Sequence, residues 1–284
     1  LNAFMAEVTV LKRHPGVQQT GDNLRRLLEG SRHLARHEGA RLQDALSLRS
    51  MPQVHGACRD QLDHAARQVE KELHSATDNP LVIPVEDGYQ VVSQANPHGA
   101  SVAMACDLLA IAACEWSSIS ERRAYRLVTP QANQLPPFLT TESGVKSGMM
   151  IAHYSAASLV ADNKRLAQPA VTDNFITSGL QEDHLSFGES AALKLDKTLD
   201  NAFYVLAIEY LLASQALDLI GCDEFAKGTS LAWKSLREVL PAYQEEHALH
   251  LDIEAAYQRL KETQVIDKLL SIAPNLLPSR QPSD

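Results

Sequence analysis

Gln43-Asp-Ala-Leu-Ser-Leu-Arg-Ser-Met-Pro-Gln53 is a loop that turns into a helix. From about Met51 the apolar residues Val54, Cys58, Leu62, Ala65, Val69 and Leu73 recur at three- and four-residue spacing, which predicts a helix to Leu73. At 1.5 Å per residue it would run roughly 35 Å. A proline at its start is tolerated, because first-turn N–H groups have no intrahelical partner anyway. Ser75-Ala-Thr-Asp-Asn-Pro80 stops it, since Asp and Asn bond their own backbone and Pro cannot continue a helix.

The same reading extends both ways. Residues 1–20 look irregular, with Pro15-Gly16 marking a turn, and a helix is expected from Asp22 to Glu38. Leu81-Val-Ile83 and Tyr89 to Val92, joined through Asp87-Gly88, predict a short β-hairpin. His98-Gly99 lead into a helix reaching about Leu127, whose middle, Val102 to Trp116, is apolar almost all round and so implies burial on every side. Gln131 to Thr141 is a proline-broken connector, Val145 to Leu166 a long helix, Thr172 to Gln181 a polar loop, and about Glu189 to Ile220 another long helix. Beyond Gly221 the helices shorten (Ser230–Leu240, Ile253–Leu270) and gain charge, and Pro274 to Asp284 reads as a mobile tail. The fold expected is all-α: a bundle of long antiparallel helices with one short β-hairpin, in a unit at 1–221 followed by shorter charged helices at 222–284. One chain cannot cover so many alanine-rich helices on all sides, so the core is expected to be shared in a homo-oligomer.

With 284 residues, 45% hydrophobic and 21% charged, the composition is that of an ordinary globular protein. A formal net charge of −9 and no dense Lys/Arg cluster argue against a nucleic-acid partner. The run Val102 to Cys114 is too short to cross a bilayer and carries Asp107, so no membrane partner is expected. The four cysteines, Cys58, Cys106, Cys114 and Cys222, form no CxxC pair and read as reduced core residues of a cytoplasmic protein. Leu1-Asn-Ala-Phe-Met has no methionine at position 1, so the sequence is expected to be the later part of a longer polypeptide.

Chemistry is expected where irregular segments interrupt the helices. Polar groups gather at Gln43/Asp44/Arg49, at Asp78/Asn79, at Asn96/His98, and at Gln181/Glu182/Asp183/His184. Arg49 stands at the mouth of a helix N-terminus, where a planar donor fork and a positive dipole end can meet a carboxylate. Glu182 beside Asp183 is a candidate for a raised carboxylate pKa, because like charges resist joint ionisation. From residue types alone each segment could equally be a braced loop, a plain turn or a cap. The eleven histidines are read as offering no helical ligand spacing for a tetrahedral metal site, so no metal is expected. No GxSxG elbow, phosphate loop or dinucleotide fingerprint occurs.

The wording of these segments, in order, carries a resemblance. Gln43-Asp-x-x-Ser-Leu-Arg49, Pro52-Gln-Val-His-Gly56, Ser75-Ala-Thr-Asp-Asn-Pro-Leu81, Gln134-Leu-Pro-Pro-Phe138, Ser147-Gly-Met149 and Gln181-Glu-Asp-His184 closely resemble the histidine and aromatic amino acid ammonia-lyase family, its histidine branch in particular, over roughly residues 10 to 220. That resemblance implies elimination of ammonia from an amino acid, most readily L-histidine to urocanate. It implies a cytoplasmic homotetramer with active sites built from several subunits. It also implies an electrophilic methylideneimidazolone, formed from an Ala-Ser-Gly tripeptide. By position, Arg49 would hold the substrate carboxylate and Gln43 would line the pocket. Asn79 would contact the bound acid, with Asn96 in the same wall. Glu182, with Gln181, would stand near the amino group or ring, and Lys146 matches a lysine of plant-type members.

There are departures from the pattern. No Ala-Ser-Gly occurs in the 284 residues, and the family carries that tripeptide in an N-terminal half, so that half is expected from elsewhere in the polypeptide or from another chain. Leu46 stands where the family has a catalytic tyrosine, and Asn96-Pro97-His98-Gly99 replaces Asn-Phe-His-Gly. Leu46 cannot transfer a proton, a service commonly worth about 10²–10⁴-fold. These departures motivate a second expectation, a non-catalytic lyase-like oligomerisation or regulatory subunit. A fumarase-type bundle lyase is disfavoured, because the Gly-Ser-Ser-x-Met-Pro loop of that group is absent.

Overall fold

A computed structural model describes residues 2–40, 42–221 and 225–277. Among them eleven α-helices and one antiparallel hairpin form. In chain order the helices before the hairpin are α1 (Ala6–Thr9), α2 (Pro15–Leu28), α3 (Arg32–Arg36), α4 (Leu46–Arg49) and α5 (Met51–Leu73). The strands β1 (Leu81–Val85) and β2 (Gly88–Val92) pair with Leu81 opposite Val92 and Val85 opposite Gly88. The long helices α6 (Ala100–Val128), α7 (Met150–Leu166) and α8 (Gly188–Ile220) follow, then α9 (Lys227–Arg237), α10 (Leu249–Lys261) and α11 (Thr263–Leu270). The all-α bundle with one hairpin is as expected. Cys222 and residues 278–284 of the expected tail lie outside the described residues.

Side-chain contacts give the direction of each long helix. His55 of α5 meets Arg123 near the end of α6, so these two run antiparallel. Glu121 of α6 meets His153 early in α7, and Ser117 meets Asn163 late in it, so that pair is antiparallel too. Asp107 pairs with Lys194 and Arg123 with Glu209, so α6 and α8 run parallel with α7 returning between them. The core joins α6, α7 and α8 to α10 through small residues such as Ala124, Ala152, Ala156, Ala207 and Ala256, whose size lets the helix axes approach. Asn163, fully buried inside it, is satisfied: it donates to Ser117 Oγ at 3.1 Å and accepts from Asn201 Nδ2 at 3.0 Å.

Several expected boundaries are corrected. Pro15 is no turn: it is the first residue of α2, where its missing N–H costs nothing. Gly16 is needed because α2 crosses α5 backbone to backbone. A Cβ at Gly16 would lie 2.1 Å from the Gly56 carbonyl oxygen, and one at Gly56 would lie 2.5 Å from the Val17 nitrogen. The expected helix at 22–38 is split between α2 and α3 at Gly30, whose φ is +77°. α7 begins at Met150, not Val145, because Glu246 accepts the Ser147 and Gly148 N–H groups at 2.5 and 3.2 Å and holds that segment as a loop. α9 opens earlier than Ser230, at Lys227, and the single helix expected over Ile253–Leu270 is two, α10 and α11, parted at Glu262.

By length and composition α6 and α8 are apolar enough to cross a membrane, contrary to the expectation of no such segment. Their place at the centre of the bundle accounts for that composition, and they exchange two salt bridges: Arg123 Nε to Glu209 Oε1 at 2.5 Å and Lys194 Nζ to Asp107 Oδ1 at 2.9 Å. Gly56→Ala is expected to overpack the α2/α5 crossing and lower stability by about 2 kcal/mol. Urea denaturation of wild type and variant, followed by far-ultraviolet circular dichroism, measures that loss.

Candidate functional site

The candidate residues fall into groups at the two ends of the bundle. One end holds the C-terminus of α5, the hairpin and the N-termini of α6 and α8. There Asn79, whose peptide bond to Pro80 is cis, follows α5 and accepts a hydrogen bond from the Gln94 amide at 3.0 Å. Asn96 donates through Nδ2 to the Ala76 carbonyl at 3.0 Å, so it ties the foot of the hairpin to the end of α5. His98 sits one turn from α6, and its Nε2 lies 3.3 Å from the His184 carbonyl and 3.4 Å from His184 Nδ1. The loop before α8 is thereby joined to the segment between β2 and α6.

That loop presents Gln181 and Glu182. Thr177 and Glu182 form an isolated antiparallel bridge, and the Glu182 carboxylate accepts hydrogen bonds from Ser178 Oγ at 2.9 Å and Thr177 Oγ1 at 3.1 Å. The backbone there is wound unusually tightly: Ser178, Gly179 and Leu180 have φ of +48°, +63° and +74°. Left-handed non-glycine residues are strained, and such strain concentrates where a loop must present a group in one orientation. Asp107 braces the start of the same loop, accepting from the Val171 amide at 2.9 Å and from Lys194. Burial alone would raise its pKa, but the hydrogen bonds from the Val171 and Ala170 amides, then Lys194, hold it below the ordinary aspartate value.

The opposite end holds the first turn of α5, the C-terminus of α6 and the N-terminus of α7. Gln43 and Leu46 are exposed there, and Arg49 ends α4 just before α5 opens. The Nε of Arg49 is buried without a hydrogen-bond partner, and so is Oε1 of Gln53, one turn on. A guanidinium with a buried, unpaired N–H is an unfilled place for an anion, because leaving that donor unpaired costs more than the bond would add. Gln53 was not singled out from sequence, and its orphaned acceptor is the signal that marks it. Lys146 is at this end too, but it is already taken: Glu142 Oε2 lies at 2.6 Å, Glu245 Oε2 at 2.9 Å and the Gln244 carbonyl at 3.0 Å. Hydrogen bonds from those carboxylates push its pKa up, so it is a locked cation that holds the loop before α7 to the segment before α10.

Within one chain the structure therefore does not bring Arg49 and Glu182 together. They lie at opposite ends of a helix of 23 residues, roughly 35 Å apart along its axis. The sequence reading also passed over buried ionised groups between these ends. Glu121, with its side chain 3% exposed, receives His153 at 2.7 Å and Arg122; burial would raise its pKa, but those two partners hold it low. It passed over a helical histidine spacing as well, His33 on α3 and His37 at its C-cap, with ring centroids 4.5 Å apart. The ring of Phe225 lies beside His33, and no cluster of three or more metal-binding side chains forms among the described residues.

Comparison with known proteins decides the family. The aromatic amino acid lyase family model matches residues 1–238. The chain belongs to that family. It is 44% identical over 269 residues to the histidine ammonia-lyase of Caldanaerobacter subterraneus subsp. tengcongensis, covering 95% of this chain and 53% of that one. The crystal structure of histidine ammonia-lyase from Trypanosoma cruzi superposes with a TM-score of 0.88 at 35% identity, over 100% of this chain and 55% of that one. That of the ergothioneine-degrading ergothionase from Treponema denticola gives 0.86 at 30% identity, over 93% and 53%. The chain spans about half the length of these relatives.

Asp107→Asn is expected to lower stability by about 2–3 kcal/mol at neutral pH, the low end for a buried pair because Lys194 reaches water. A carboxylate with a depressed folded-state pKa contributes its stability above the unfolded value of about 3.9 and loses it as the pH falls through the folded value. The difference between wild type and variant, read by urea denaturation across pH, should therefore shrink below about pH 4.

Proposed function

We propose that this chain forms part of a cytoplasmic ammonia-lyase that eliminates ammonia from L-histidine to give urocanate, with each active site assembled from more than one copy. The observation that carries the reading is the separation of Arg49 from Glu182 by the length of α5. In a two-fold or higher symmetric assembly with antiparallel neighbours, the Arg49 end of one copy lies beside the Glu182 end of another. Apolar side chains along the outer faces of the bundle support such contacts: Met104 is 60% exposed, Tyr154 59% and Leu193 65%. The histidine ammonia-lyases at 40–44% identity favour histidine among aromatic amino acids.

In this reading Arg49 pairs with the substrate carboxylate through its planar fork, using the N–H that is unpartnered in the single chain. Gln43 borders the same anion, and Gln53 Oε1, an acceptor, can take an N–H of the substrate's ammonium. From the neighbouring copy Glu182, held by Ser178 and Thr177, accepts a hydrogen bond from the substrate's ammonium or imidazole N–H, and Asn79 and Gln181 flank it. The family's methylideneimidazolone needs an Ala-Ser-Gly that this chain lacks. The residues present therefore do not make that group.

A second reading, a non-catalytic lyase-like subunit, is favoured by Leu46, 64% exposed and without a hydroxyl where the family has tyrosine, and by Pro97. The two separate cleanly when the chain is assembled with an Ala-Ser-Gly-bearing lyase segment and urocanate is followed by ultraviolet absorbance. Arg49→Ala and Glu182→Ala are each expected to lower kcat/KM by about 10²-fold or more. Mixing the two variant copies should restore part of the activity, since some sites then receive both intact groups. Absence of product from histidine, phenylalanine and tyrosine, unchanged in Leu46→Tyr/Pro97→Phe, would leave the subunit reading standing alone.

A further inference from the structure

A cavity of about 430 Å³ opens between α2, α5, α6 and α8, with Leu276 over it. Its wall is mainly apolar, including Leu62, Leu109, Trp116 and Leu195, and neither Arg49 nor Glu182 lines it. That volume is in the range of small-molecule sites.

The polar atoms of the wall define what the space can hold. Arg59 is spent on the carbonyls of Leu276 at 2.7 Å and Asn275 at 2.9 Å. Thr20 donates to the Gly16 carbonyl at 2.7 Å, and Cys58 to that of Ala112 at 3.3 Å. Two polar groups remain. Asn23 is 5% exposed and its Oδ1 is buried without a partner. Its amide cannot be turned round, because Nδ2 donates to the Asn275 carbonyl at 2.9 Å. His55 accepts the Arg123 N–H on Nε2 at 3.2 Å, so its remaining proton sits on Nδ1, and among the described residues that N–H has no partner. Burial, then Arg123, lowers the His55 pKa to about 3, so the ring is neutral at physiological pH.

We propose that this cavity is a binding site for a neutral, ring-sized apolar molecule carrying one hydroxyl, in the manner of a phenol. The hydroxyl donates to Asn23 Oδ1 and accepts from His55 Nδ1–H, while the ring lies among Leu62, Leu109, Trp116 and Leu195. The one charged residue of the wall, Arg59, is turned onto the Leu276 and Asn275 carbonyls and the Gln19 side chain, so a neutral ligand suits the space better than a zwitterionic amino acid or a free carboxylate, which sets this site apart from the one proposed above. A water cluster could satisfy the same two atoms but would leave most of the apolar wall without contacts.

The experiment is ¹⁹F NMR titration of the full chain with 4-fluorophenol and with fluorobenzene. The phenol is expected to bind at least about fivefold more tightly, the equivalent of one net hydrogen bond. In Trp233→Phe, Trp116 is the sole tryptophan of the original two, and its emission should respond to the phenol. Asn23→Leu should equalise the two probes, and Leu109→Trp, which fills the space, should abolish both. Should either variant fail the circular dichroism check for folding, the comparison of probes on the wild-type chain decides the matter. No binding of 4-fluorophenol, equal affinities on the wild type, or binding that survives Leu109→Trp in a folded variant would overturn the proposal.

Discussion

A helix of 23 residues is a rigid spacer, and here it stands between the residue that can hold a carboxylate and the loop that carries the carboxylate Glu182. Neither side chain can cross that distance. The long helices keep the two ends apart: α6, of 29 residues, packs antiparallel to α5, α8, of 33, runs parallel to α6, and α7 returns between those two. Each end is thus held firmly, and in the proposed assembly it is a second copy that brings the two face to face.

What holds the spacer straight is a combination of small residues and buried charge. Alanines let α6, α7 and α8 approach until backbone and side-chain atoms interlock, and the glycine pair at 16 and 56 does the same for α2 and α5. Close approach leaves little water, so every charge inside must be matched. Glu209 is shared by Arg123 and Ser120, Glu121 by His153 and Arg122, and Asp107 by Lys194 and a backbone amide. Such pairs add little net stability over apolar packing, but they penalise any register in which a partner is missing. They fix how far one helix is displaced along the next, which decides which loops meet at each end.

The helical reading of 51–73 coincided with α5 because its signals are local: a proline at the start, a three-and-four periodicity, and an Asp-Asn-Pro stop. The hairpin and the extents of α6 and α8 were legible for the same reason. Pro15-Gly16 was not, since that dipeptide suits a turn or a helix start equally, and only contact with Gly56 chooses between them. The start of α7 was misplaced because Glu246, almost a hundred positions away, caps the loop before it. Lys146 was expected at the substrate because it matches a lysine of plant-type members of the family, and the sequence did not show that it pairs with Glu142, one turn away, and with the distant Glu245.

The sequence alone determined the helix periods, most of the helix stops and the kinds of side chain at each loop, because those depend on neighbours within a few positions. It also carried, in ordered motifs, the membership of the lyase family. Only the tertiary structure decided which loops share an end, that Arg49 and Gln53 keep unpaired buried atoms while Lys146 does not, and that Arg49 and Glu182 are a helix length apart. Those outcomes rest on contacts between residues far apart in the chain, and such contacts are set by the direction and displacement of whole helices.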